Sequence, residues 1–347
     1  GKGLPPFRKR SSKESRRNQL SRVSYSNQIT LSGGIMNYGN ILSSAWKTVW
    51  KHKVIFYFGI LVAILPALFG IIYGGAYMYF APNFIANLET FADSPASMPE
   101  PNLVLIIVAV VAYFVFIALI IVISALSDAA VIKGTLLAQE SSEEISFSDL
   151  WQSSKPYIWR IVGLTLLAGF AMFVVFMVPW FLFALIGIFT MGIGFLCMIP
   201  FMLLMIPLVA IWYLLQTLSS VAIVAEDMGI FESIQHAWKL LKKKFWPLVL
   251  MGIILYIILI AISMIVIVPM QIVQFSYTSA FTTPNYMNDP ADFAEIFRRS
   301  GLISMIFTPL SAFAQAIAMT YINAAFALTY LDITAEPEND EEVIEYA

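Results

Sequence analysis

The chain has 347 residues, 59% of them hydrophobic and 12% charged, with a formal net charge of −2 and a mean hydropathy of +0.80. Ordinary soluble domains run at about 45–50% apolar and about 25% charged. This composition therefore excludes a water-soluble globule of the same size, because too little polar surface remains to cover its core. A lone cysteine, Cys197, excludes an intramolecular disulfide framework and a cysteine-built metal site, and two histidines do not make a histidine-rich one.

Residues 1–35 are polar and basic, lack any apolar period, and are expected to be disordered. No methionine precedes Met36, and Gly33-Gly34 stands where a purine-rich ribosome-binding site would be read as glycine codons. Met36 is thus the expected start of translation. The first apolar stretch, 54–80, is too long for a signal-peptide core of about 7–15 residues.

Crossing the hydrocarbon layer takes about 20 apolar residues. The uncharged stretches 54–80 and 103–127 supply two spans. The 65 uncharged residues between Arg160 and Glu226 suit two more, near 161–189 and 195–219, with the turn at Thr190-Met-Gly-Ile-Gly194. Segments 245–273 and 302–331 complete a count of six. Pro66, Pro179, Pro200, Pro207, Pro269 and Pro309 are candidates to bend or end their helices. With six spans, every one of the 20 Lys and Arg residues except Arg298 and Arg299 falls on the side of the termini. The positive-inside rule then makes that side cytoplasmic, in a multi-pass inner-membrane protein. Leaving out residues 1–35 preserves the bias.

A tryptophan helix precedes each odd-numbered span: Ala45-Trp46-Lys47, Leu150-Trp151-Gln152 and Ala237-Trp238-Lys239, each with apolar residues one and four positions before the Trp. Trp159 and Trp246 follow at the expected membrane entrance. In the third copy Ile230, Phe231, Ile234, Ala237, Trp238, Leu241 and Phe245 mark one face. Lys239, Lys242, Lys243 and Lys244 are placed to meet anionic lipid, each worth on the order of 1 kcal/mol. The even spans end alike, at Ser127-Asp128, Ser219-Ser220 and Asn323-Ala324, so Asp128, Ser219 and Asn323 are candidate polar groups at the cytoplasmic mouth. The expected architecture is all-α: a polytopic bundle of three repeated hairpins with interfacial helices, about 41–139, 145–225 and 230–332, within a membrane domain 36–332. Residues 333–347 form an acidic cytoplasmic tail.

The entrance segment Ser-x-Ala-Trp-Lys, the six spans and the stretch Met228-Gly-Ile-Phe-Glu-Ser-Ile-Gln-His-Ala-Trp-Lys239 resemble prokaryotic six-span membrane-protein families. Those families include the membrane region attached to some bacterial glycerophosphodiester phosphodiesterases. The resemblance implies a six-span membrane fold over about residues 36–332. It implies no hydrolase activity, since the sequence holds no hydrophilic stretch of that soluble domain's size.

No metalloprotease, phosphate-loop or nucleophile-elbow pattern occurs, so no catalytic residue, metal or cofactor is expected. His52 and His236 read as surface histidines, and Glu143-Glu144 and Glu226-Asp227 as solvated caps or loops. In the sixth span Ser304, Thr308, Ser311 and Gln315 fall on one helical face, which should turn into the bundle, either to hydrogen-bond across helices or to line a hydrated path. The other spans show no matching stripe. Gly70-Ile-Ile-Tyr-Gly74 is a small-residue pair of a kind common by chance, and Asp289-Pro290 reads as the start of a short external helix with Phe293, Ile296 and Phe297 against the membrane. The expected role is non-enzymatic: a scaffold or assembly partner that engages membrane lipids or another membrane protein, with no nucleic-acid partner. The alternative is a transporter or channel for a small or amphipathic solute. A polar cavity would favour transport, and a dry core closed by Phe and Leu would favour the scaffold.

Overall fold

A computed structural model describes residues 36–86, 103–140, 144–190, 198–278 and 290–335. Among the described residues six helices are long and apolar enough to cross a membrane, and the chain is an all-helical, multi-pass membrane protein. The spans are α2 (Lys53–Ala86), α3 (Leu103–Glu140), α5 (Ile158–Phe189), α6 (Met198–Glu226), α8 (Phe245–Thr278) and α9 (Pro290–Ala335). Three short helices, α1 (Tyr38–Lys51), α4 (Phe147–Ser154) and α7 (Ile230–Lys243), precede α2, α5 and α8. The expected leader, Cys197, most of the 190–194 turn, Glu143 and the acidic tail from residue 336 lie outside the described residues.

The spans overrun their uncharged windows. Helix α3 continues past Asp128 to Glu140, because Ala129, Ala130, Val131 and Ile132 are packed by protein on every side. The short external helix expected at Asp289-Pro290 is instead the first part of α9, where Glu295 pairs with Arg299 at 2.6 Å and with Arg298 at 3.7 Å. Phe297 packs on Tyr77 of α2, at 5.3 Å between rings, rather than on lipid. Pro66, Pro179, Pro207, Pro269 and Pro309 all sit within helices that run on through them, and Pro200 lies in the first turn of α6.

The short helices share a register. The residue just before each of the three recurring Trp residues (Ala45, Leu150, Ala237) is 0% exposed, while Trp46, Trp151 and Trp238 are exposed. In α7 the buried line is Ser233, Ala237 and Leu241, so the apolar face expected there divides. Phe231 and Trp238 turn outward, away from the bundle. Trp159 and Trp246 are the most open tryptophans, 73% and 76% exposed, at the starts of α5 and α8. Lys242 lies 5.0 Å over the Trp238 ring, and Lys239 and Lys243 are exposed beside it, whereas Lys244 is half-buried at the end of α7.

All three short helices pack at one end of the bundle, here called the root. The Tyr321 hydroxyl donates to the Leu42 carbonyl at 3.2 Å, and Gly134 lies against Ile55 and Leu150. Arg160 donates to the Asp227 carboxylate at 2.7 Å and to the Asp227 and Met228 carbonyls, clamping the α6–α7 turn to the start of α5. Asp227 takes φ 59° there, a conformation that favours glycine or asparagine and that the clamp helps to hold. Its neighbour Glu226 accepts a hydrogen bond from Tyr330 at 2.7 Å, so neither acid of the expected solvated pair is idle. His52 also departs from expectation: it is buried at the α1–α2 junction, where its N–H closes α1 on Thr48. The ring of His236 faces Tyr330, and its Nε2 is buried with no hydrogen-bond partner among the described residues.

The closest pair of helices is α2 with α9, and the pairing is antiparallel, since Gly59 meets Thr320, Gly70 meets Thr308 and Gly74 meets Gly301. At Gly74 a Cβ would lie 2.6 Å from the Gly301 carbonyl oxygen and 2.8 Å from the Met305 nitrogen, so only glycine fits without moving backbone. With Ala63 and Ala67 buried between them, Gly59, Gly70 and Gly74 make one small-residue face five positions long. Such faces let membrane helices approach closely and gain dispersion energy that lipid cannot match. Gly70-x-x-x-Gly74 is therefore a true helix contact and not a chance pattern.

Candidate functional site

Beside the α2–α9 seam, in the half of the bundle nearer the root, lies a cavity of about 350 Å³ walled by α2, α3, α6 and α9. Gly59 on its α2 wall is six residues past Lys53, about 9 Å along the helix. That wall is small and apolar (Gly59, Val62, Ala63, Pro66). The walls from α3 and α6 are mostly polar, with Ser124, Ser127 and Asp128 beside Ile132 on α3 and Tyr213, Gln216, Thr217 and Ser220 on α6, while α9 mixes Gln315, Thr320 and Asn323 with Ala312, Ala316 and Met319. No Phe or Leu among the described residues lines it. Tyr213, Gln315 and Met319 are exposed, and the Tyr213 hydroxyl reaches the Met319 sulfur at 4.0 Å, so the cavity is open beside these three.

Its centre is a pair from two different hairpins. Asn323 Nδ2 donates to Asp128 Oδ1 at 2.7 Å. The two residues are 195 positions apart, and each lies near the end of its even-numbered span, Asn323 in register with Ser127 and Ser219 and Asp128 in register with Ser220. Ser219 occupies the corresponding site of the second hairpin, but its side chain is buried and donates to the Leu215 carbonyl at 2.7 Å, off the cavity. Ser220, one position on, turned about 100° around the helix and in register with Asp128, does line the cavity.

The polar face of the sixth span divides in the same way. Only Gln315 lines the cavity. Thr308 packs on Gly70 and lies 3.3 Å from the Ser304 hydroxyl, and Ser311 donates to the Thr308 carbonyl at 2.8 Å. Ser304, Thr308 and Ser311 therefore serve helix packing. The matching stripe missing from the sequence reading is on α6, where Tyr213, Gln216, Thr217 and Ser220 recur at helical spacing and line one wall.

Three of the hydroxyls facing the cavity are already committed as donors. Thr217 donates to Tyr213 O at 2.9 Å, Ser220 to Gln216 O at 3.1 Å and Thr320 to Ala316 O at 2.7 Å. Each satisfies a carbonyl of its own helix, and what it can still offer a guest is a lone pair. Among the described residues no Lys, Arg or His lines the cavity, and Asp128 is its sole acid. Among the described residues no group of His, Cys, Asp and Glu side chains is arranged to hold a metal ion.

Set against protein-family models, curated proteins and solved structures, the chain matches none.

Proposed function

We propose that this membrane protein takes a small solute into the cavity at its root, as a transporter or channel, and performs no covalent chemistry. The supporting observation is the lining itself. Polar side chains from α3, α6 and α9 converge on space of a size suited to a small ligand, without the Phe and Leu closure that a purely structural core would show. Polar groups inside a membrane are expensive and are kept where they serve a pathway or a ligand. The basic residues at the root, including Lys51, Lys53, Lys155 and Lys242, favour placing that end and both termini in the cytoplasm and the protein in the cytoplasmic membrane. In this reading Lys239, Lys242, Lys243 and Lys244 meet anionic lipid there.

The test is efflux from proteoliposomes loaded with a mixture of small amines, polyols and amino acids, with the retained contents measured by mass spectrometry. At least one class should drain from vesicles carrying the wild type and stay in those carrying Gln315→Leu. Retention equal to that of protein-free liposomes for every class would refute the reading.

One observation favours a second role. Away from the root, residues 106–115 of α3 are exposed around the whole helix, which leaves room for another membrane protein to pack there. In that case the protein acts as an assembly scaffold, and photo-crosslinkers at Val110 or Phe114 would capture a protein rather than lipid alone.

A further inference from the structure

The charge of the cavity is one-sided. A guest would meet the Asp128 carboxylate, the lone pairs of Thr217, Ser220 and Thr320, the side-chain amides of Gln216 and Gln315 and the Tyr213 ring, with no cationic side chain in the described lining to receive an anion. Asn323 is the neighbour that fixes the acid: one of its two amide N–H groups goes to Asp128 Oδ1, while Oδ2 and the amide carbonyl of Asn323 are further acceptors. A carboxylate within the span of a membrane helix is stabilised by a cation or a proton. The opposite wall, Val62, Ala63 and Pro66, is apolar and suits a hydrocarbon body rather than a hydration shell.

We propose that the cavity is a site for small organic cations, an alkyl or aryl ammonium group paired with Asp128, its N–H bonds accepted by the surrounding oxygens and its carbon skeleton laid against α2. The absence of converging metal ligands among the described residues sets this class apart from metal ions. Asn323 acts as a positioning residue that aims the carboxylate. This inference rests on the solute-cavity reading above.

The experiment uses the full chain in membrane vesicles, with Cys197→Ser and a single new cysteine, Gln216→Cys, in the cavity wall. It is labelled by a cationic methanethiosulfonate (trimethylammonium-ethyl) and by an anionic one (sulfonato-ethyl), each rate being divided by that for a free thiol. Gln235→Cys, on the exposed face of α7, corrects for the field of the neighbouring lysines. One fixed charge a few ångströms away should favour the cation by about tenfold over the α7 control, and Asp128→Asn should remove most of that preference. Benzylammonium, but not benzyl alcohol, should protect Gln216→Cys in the background that keeps Asp128; this measurement stands even where Asp128→Asn does not fold. Equal rates for the two reagents, or equal protection by the alcohol, would overturn the cation assignment while leaving a wet solute cavity. No labelling of Gln216→Cys by either reagent, with Gln235→Cys labelled, would show the cavity dry and remove both the assignment and the reading beneath it.

Discussion

Two segments of a single helix, residues 103–115 and 125–132 of α3, lie in opposite surroundings. The first is Leu, Val, Ile and aromatic side chains with two alanines among them, and where described it is exposed all round. The second, Ala-Leu-Ser-Asp-Ala-Ala-Val-Ile, has almost no exposed side chain and sits among α2, α5, α6 and α9. Hydropathy falls from the first to the second, yet lipid and a protein interior are both apolar, so it does not say which of them surrounds a helix. Side-chain size does: bulky residues mark the part of a membrane helix that meets lipid, and small or hydroxylated ones the part that meets protein. The root is thus the folded core of the molecule, and the distal half is a set of helices solvated largely by hydrocarbon.

The sharpest break of that contrast is a pair of equal truncations. Phe326, 0% exposed at the root, should cost about 3–5 kcal/mol on replacement by alanine, through lost contacts and the cavity left behind. Phe114→Ala, in the distal part of α3, removes a side chain that is 65% exposed and should leave stability nearly unchanged. Thermal unfolding in mild detergent reads both; comparable losses would show that the distal half is also packed by protein. A second pair probes the seam, which extends from the root into the distal half. Gly74→Ala forces a methyl group into the α9 backbone and should destabilise by about 1–3 kcal/mol. Gly75→Ala, where nothing lies within 4 Å, should be neutral or stabilising by helix propensity. Equal effects would place the α2–α9 register elsewhere.

The sequence made the spans legible because charge is absent from long windows and returns at the root. The three tryptophan helices were legible for a similar reason: a buried Ala45, Leu150 or Ala237 beside an outward Trp is a local pattern that needs no knowledge of partners. Asp128 and Asn323 stood out as polar groups near the ends of two even spans, one position out of register with each other, although their 2.7 Å hydrogen bond did not. What stayed hidden depended on which helix lies beside which. Gly70 and Gly74 carry meaning only once α9 offers Thr308 and Gly301 opposite them. The α6 stripe from Tyr213 to Ser220 was present in the spacing, but its membership turned on a rotation: Ser219 and Ser220 are chemically alike, and only the packing of α6 decides which one reaches the cavity.

The Asp128–Asn323 pair is where the well-packed root gives way to open space, and it sets a smaller energy than either pair above. A double-mutant cycle with Asp128→Ala and Asn323→Ala should yield a coupling on the order of 1 kcal/mol, the usual size for polar pairs between membrane helices. A coupling near zero would mean that water in the cavity serves both side chains equally well in each other's absence.

The smallest expected effect comes from His52, at the outer edge of the root. Burial lowers its pKa from the usual histidine value, the adjacent Lys51 lowers it further, and Glu144 opposes both. The folded state therefore binds a proton less readily than the unfolded chain. The stability this neutral imidazole permits is complete above the unfolded pKa of about 6.5 and declines as pH falls toward and through the lower folded value. Melting temperature should accordingly drop between about pH 7.5 and pH 5.5, and His52→Gln, which keeps a polar group at the α1–α2 junction but cannot titrate, should flatten that drop. The same mutation should leave the Phe326→Ala and Phe114→Ala difference unchanged, since neither phenylalanine senses a charge at this junction. If the variant keeps the full slope, the pH sensitivity belongs to another group, and the imidazole of His52 has enough water around it to protonate without cost to the fold.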